Sequence, residues 1–311
     1  MQIQSRADWE SSVVEAWKSF STSGTKQILW VFLLMLVNWG LEARKWQLAI
    51  GQIQKISFFT AYQAILCGTT LGFFTPNRMG EYFGRIWYID EGKRIPAISL
   101  TIVCSIAQLL ITLSGGIAGL FFIRAHLVST DPDSGSLVFW LKIVQYTALF
   151  AFVILLLLYF RLSRLVRYLE RITIIGKWIA YIRVLDNFNA THLLRILSLS
   201  GLRYLVFLLQ YFIVFQVFSV GINWWQSFWS ISVVFLILAI VPTIAVISEL
   251  GVRWKASVEL VRLFSNNMIG IFASSLVIWT INLVIPALIG SLLILRIKFF
   301  TNVKMNVNQD L

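Results

Sequence analysis

The chain has 311 residues, of which 58% are apolar and only 13% carry charge, with a formal net charge of +12. Ordinary soluble domains carry about 25% charged residues, so composition excludes one and points to a polytopic membrane protein. The positive charge lies in stretches that flank apolar runs, where anionic lipid and topology account for it, so no nucleic-acid partner is expected.

In chain order, residues 1–26 come first. They contain acids and no apolar core ahead of a small-residue cleavage site, so they are not read as a cleavable signal. Trp9, Val13, Trp17 and Phe20 recur at helical spacing, which predicts an amphipathic helix on the membrane surface. A single transmembrane domain is expected over 27–296, followed by a short polar tail at 297–311. About twenty apolar residues cross the hydrocarbon core. The apolar runs lie near 27–47, 57–75, 96–123, 137–160, 196–219, 226–247 and 267–295. The last is long and contains Pro286, so it reads as one kinked helix or two shorter segments. The second and sixth end in polar motifs and read as crossings or as re-entrant or broken segments. The expected fold is therefore all-α, a bundle of seven or eight spanning helices with two loosely repeated halves.

With seven crossings, the N-terminus, second, fourth and sixth loops share one side and hold most of the Lys and Arg. The positive-inside rule then predicts a cytoplasmic N-terminus in the plasma membrane. The fourth loop opens with Arg161-x-x-Arg164-x-x-Arg167-x-x-x-Arg171, a basic amphipathic pattern. It reads as an anchor on anionic lipid or as a surface that collects head groups.

The segment Thr75-Pro76-Asn77-Arg78-Met79-Gly80-Glu81-Tyr82-Phe83-Gly84-Arg85 closes the second run. In helical geometry Arg78, Glu81 and Arg85 share a face. Gly80 and Gly84 form a small-xxx-small pair that lets another helix approach. Charged groups at membrane depth are costly, so the cluster is a candidate site. A second copy ends the sixth run, with Pro242, then Glu249, Gly251 and Arg253. Both copies place an arginine four residues after a glutamate, with a glycine between. Broken segments in corresponding halves point to a transport site at a repeat interface. The candidate substrate-binding residues are Asn77, Arg78, Glu81, Arg85, Glu249 and Arg253, framed by Pro76, Gly80, Gly84, Pro242 and Gly251.

Secondary candidates are Glu42 and Lys45, expected to snorkel at an interface, and Gln108, Arg203, Tyr204 and Asn282. Asn38, Gln210 and Trp279 are further polar residues near the runs. Gly115 and Gly119 predict a packing seam. Cys67 and Cys104 lie in apolar runs, and His126 and His192 stand far apart, so neither a metal nor a cofactor is expected.

The element Pro76 to Glu81 after an apolar run resembles the proline-glycine-glutamate signature of the lysylphosphatidylglycerol synthase transmembrane-region family, described as flippase-like membrane proteins. The later Pro242…Glu249-Leu250-Gly251 is similar to that family's second signature, although 243–248 lacks its glycine-rich stretch. Asn38 to Trp46 resembles its first span. The resemblance implies a polytopic inner-membrane domain associated with moving a lipid between leaflets, without the soluble transferase domain that some members carry. Membrane lipids, phospholipid or polyprenyl-type, are the expected partners. The residues show no catalytic constellation. The alternatives are a non-catalytic partner of a separate lipid-modifying enzyme and a membrane-embedded transferase.

Overall fold

The computed structural model describes residues 24–130, 135–161, 185, 188–242 and 246–307, with side chains described as far as 296 apart from 246 and 247. The expected surface helix within 1–26, Arg164, Arg167 and Arg171 of the basic loop, Thr243 to Ala245 of the second motif and the side chains of the 297–311 tail lie outside these residues.

All regular structure among the described residues is helical. The helices are α1 (Gly24–Ile50), α2 (Phe58–Phe73), α3 (Gly80–Ile86), α4 (Arg94–Thr130), α5 (Gly135–Phe160), α6 (Ala190–Val217), α7 (Trp224–Ile240), α8 (Val246–Val261), α9 (Met268–Trp279) and α10 (Ile285–Val307). Sequence sets many of their starts. Ser57, Asn189 and Asn267 accept from backbone N–H groups of the first turns of α2, α6 and α9, and Asn223 with Gln226 forms a capping box on α7.

Five helical segments are long and apolar enough to cross a membrane: α1, α4 with its preceding turn, α5, α6, and α9 running into α10. This is the character of an integral membrane protein. The helix α5 exposes Phe139, Trp140, Phe150 and Leu157, which suits a lipid-facing element. The last run is one helical path with a π-helical stretch at Thr280–Val284. Pro286 lacks the N–H that would bond to the carbonyl of residue 282, and the wider turn just before it accommodates that loss.

The other two runs, 57–75 and 226–247, do not continue straight. The helix α2 has 16 residues, and α3 then folds back along it after a 3₁₀ turn at Pro76–Arg78. Asn77 and Arg78 both take positive φ there, 49° and 58°, a left-handed corner that reverses the chain. Gly84 of α3 lies against Gly68 of α2, Gly80 lies against the Leu71 backbone, and Gly72 lies against Glu81. A Cβ at Gly84 would stand 2.6 Å from the Cys67 carbonyl oxygen, so the expected small-residue seam is the hairpin's own interior. The helix α7 has 17 residues and stops at extended Val241, as the residue before Pro242 must. The helix α8 then returns to pack on α7.

Contacts fix the directions. Gln210 of α6 donates to the Val31 carbonyl of α1 and Arg203 reaches Asn38 and Glu42, so α1 and α6 are antiparallel. Thr70 and Cys67 of α2 face Ala287 and Gly290 of α10, again antiparallel. Gly116 and Gly119 of α4 face Leu236 and Trp229 of α7 in the same opposed sense. The first arm of each broken pair thus packs on a long helix from the other part of the chain, α2 on α10 and α7 on α4, and corresponding elements run in opposite directions. The two hairpins enter from opposite ends of the bundle. This inverted arrangement goes with the re-entrant reading of the second and sixth runs rather than with seven simple crossings. The core between them is built on Trp39, Trp46, Ile65, Leu100, Tyr211 and Phe215, all at most 2% exposed.

Candidate functional site

The hairpin tips end beside two adjoining lobes of one cavity. The smaller, about 300 Å³, is lined by Glu42, Lys45, Arg78, Glu81, Arg85 and Arg203 with Thr101 and Ser105. The larger, about 540 Å³, is lined by Tyr204, Phe207, Phe235, residues 238–242, Glu249 and Arg253. Asn77, Arg78, Gln108, Thr112 and Arg203 line both, so Arg78 and Arg203 stand between the lobes.

Glu42 is the hub. It lies eight residues before the C-terminal end of α1 and is 4% exposed. Its carboxylate takes Lys45 at 2.6 Å, Arg85 at 3.1 Å and Arg203 at 3.0 Å. Lys45 is 1% exposed. The expectation that Glu42 and Lys45 snorkel to an interface is therefore corrected: α1 continues past them to Ile50, and both turn inward. Glu81 takes Arg78 at 2.6 Å and Arg85 at 3.1 Å, so the three charged groups do meet, but Arg78 reaches Glu81 from the left-handed corner and not from a shared helical face, and Arg85 bridges the two carboxylates. Buried ion clusters of this kind contribute little net stability, but each member is costly to leave unpaired.

Arg203 is the most constrained cation. Its Nε donates to Asn38 Oδ1 at 3.0 Å and its Nη1 to Glu42. Its guanidinium also lies over the rings of Trp39 and Phe207, 5.2 and 5.6 Å from their centroids. Asn38 in turn donates to Asn282 at 3.3 Å, which ties the π-helical stretch to the site. Gln108 lies 3.5 Å from Arg203 through its carbonyl oxygen.

From the other hairpin, Arg253 donates to Glu249 at 2.6 Å and to the Tyr211 hydroxyl at 3.1 Å. The i,i+4 pair of the second motif exists, and Tyr211 orients it. Both motifs therefore reach one cavity. Asn77, Arg78, Glu249 and Arg253 share the larger lobe, while Glu81 and Arg85 lie in the smaller one. Gly251 plays a different part from its counterparts: a Cβ there would meet no atom within 4 Å, so it is no close-approach position. Gln210 and Trp279 line neither lobe.

Sequence reasoning missed Trp39, Thr112, Phe207 and Tyr211. Tyr211 falls seven residues after Tyr204, two turns along the same face of α6, which is the signal that could have found it. Among the described residues no His, Cys, Asp and Glu group could hold a metal. No protein-family model matches the chain, and neither a curated protein nor a solved structure matches it.

Proposed function

We propose that this protein moves a lipid between leaflets, with the polar head group resting in the two-lobed cavity and the tails remaining in hydrocarbon. The observation that carries the reading is the convergence of two oppositely inserted broken hairpins on one arginine-lined cavity. Irregular backbone at membrane depth is tolerated where it lines such a cavity, and repeat interfaces are where transporters place their sites. Arginine presents a planar fork of donors suited to phosphate. The likeness of 76–81 and 242–251 to the flippase-like family's signatures supports the same reading and a relationship to that family.

We also propose an orientation. Lys55, Lys93, Arg94, Arg161, Arg195 and Arg296 flank one end of the bundle, and the rest of the basic loop joins them there by sequence. Lys26, Arg124, Lys255 and Arg262 flank the other. With five crossings the positive-inside rule assigns the first end to the cytoplasm and the N-terminus to the opposite side. This reverses the orientation drawn from seven crossings.

The test is lipid movement in reconstituted vesicles. Arg78→Ala and Glu81→Ala are each expected to abolish it while the protein still folds. Unchanged movement in both variants would sink the site.

A further inference from the structure

The two lobes together hold a surplus of positive charge. Around the smaller lobe stand four cations, Lys45, Arg78, Arg85 and Arg203, and two carboxylates, Glu42 and Glu81. The surplus is two positive charges. Three of the four cations are arginines, which stay protonated in proteins. A proton shared across the 2.6 Å Lys45–Glu42 contact leaves the sum unchanged. The larger lobe adds Arg253 and Glu249, which cancel. The surplus of two is therefore that of the whole cavity, and Arg78 and Arg203, which line both lobes, place it at their junction. The uncharged groups there (Thr101, Ser105, Gln108, Thr112) bring no compensating charge.

Two unmatched positive charges on buried and half-buried side chains are costly unless an anion joins them. The existing carboxylates are already shared: Glu42 serves three cations and Glu81 serves two. Arg78 also has a buried Nε–H with no hydrogen-bond partner among the described residues, and its side chain is 36% exposed, the most accessible cation of the set. Next to these charges the larger lobe has an apolar wall of Phe207, Phe235 and residues 238–241. A ligand that fits both lobes has a compact dianion at one end and hydrocarbon beside it.

We infer that the junction of the two lobes, between Arg78 and Arg203, selects a lipid whose head group carries at least two negative charges on phosphate, a phosphomonoester or terminal diphosphate, over monoanionic, zwitterionic or cationic head groups. The phosphate oxygens lie between Arg78 and Arg203, and the first carbons of the chain lie along the wall of the larger lobe. Lipids with a cationic amino-acid ester on the head group are disfavoured by the same surplus. The inference rests on the head-group reading of the cavity proposed above and names its substrate class.

The experiment measures binding, which does not require transport. The purified full chain in detergent is titrated with a polyprenyl phosphate, phosphatidic acid, phosphatidylglycerol, phosphatidylcholine and inorganic phosphate, read by thermal shift and native mass spectrometry. The two phosphomonoester lipids should bind at least about tenfold more tightly than phosphatidylglycerol, the effect of one charge-assisted hydrogen bond. Arg78→Gln, which lowers the surplus to one, should erase most of that preference. Equal affinity for phosphomonoester lipids and phosphatidylglycerol overturns the inference, as does tightest binding of phosphatidylcholine. Inorganic phosphate binding as tightly as the lipids overturns the lipid assignment. If Arg78→Gln does not fold, the wild-type series decides alone. Phosphomonoester selectivity without movement of any lipid would overturn the transport reading and leave the site standing. Movement without selectivity would overturn only this inference.

Discussion

Replacing Glu42 by glutamine gives the sharpest view of the ion cluster. The amide keeps the shape of the side chain and removes its charge. Lys45 at 2.6 Å then loses its carboxylate partner, Arg203 keeps Asn38 and Gln108, and Arg85 keeps Glu81. The largest single cost is thus an uncompensated Lys45 at 1% exposure. Removing one partner of a buried pair costs about 3–5 kcal/mol. In a chain of this size that corresponds to a fall in Tm on the order of 10 °C. Thermal unfolding in detergent, followed by tryptophan fluorescence, measures it. The double variant Glu42→Gln with Lys45→Met removes both charges and keeps the apolar stem, so it should be more stable than Glu42→Gln alone by at least about 1 kcal/mol. A single variant within about 0.5 kcal/mol of the parent would refute the reasoning, because it would mean that Glu42 does not hold these cations together.

Arg78→Ala should leave unfolding stability within about 1 kcal/mol of the parent, since the Arg78–Glu81 pair is partly exposed, and yet stop lipid movement in vesicles; a large stability loss would recast Arg78 as structural. Arg253→Lys should cost about 1–3 kcal/mol, because an ammonium cannot reproduce the fork that joins Glu249 and Tyr211; a neutral result in thermal unfolding would refute that geometry. Gly84→Ala should destabilise the α2–α3 hairpin by about 1–3 kcal/mol through the clash with the Cys67 carbonyl, whereas Gly251→Ala should be neutral or slightly stabilising; equal effects would contradict the packing described.

The helical membrane class was legible because apolar runs and sparse charge dictate it. The paths of two runs were not. Hydropathy reports where about twenty apolar residues fit, and a 16- or 17-residue helix that folds back at a proline satisfies much the same count as one that crosses. Pro76 and Pro242 marked the breaks, but the direction of each hairpin came only from contacts such as Thr70 with Ala287. Site legibility divides in the same way. Arg78, Glu81 and Arg85, and Glu249 with Arg253, were readable from local spacing. Glu42 and Lys45 were undervalued because their distance from the end of an apolar run suggested an interface. Asn38, Glu42 and Lys45 recur at i, i+4 and i+7, a polar stripe on one face of an apolar helix. That pattern favours an inward-facing site over three snorkelling ends. Arg203 needs the antiparallel α1–α6 pairing to meet Glu42, and no local pattern encodes it.

The central claim is that the two hairpin tips close on one cavity through which a head group passes. Asn77→Cys combined with Val241→Cys places a thiol on each tip in the wall of the larger lobe, while the native Cys67 and Cys104 are buried. After reconstitution, a short cleavable thiol cross-linker should join the pair and stop lipid movement, and reduction should restore it. Failure of the tips to cross-link, or undiminished movement with the tips joined, would contradict the account.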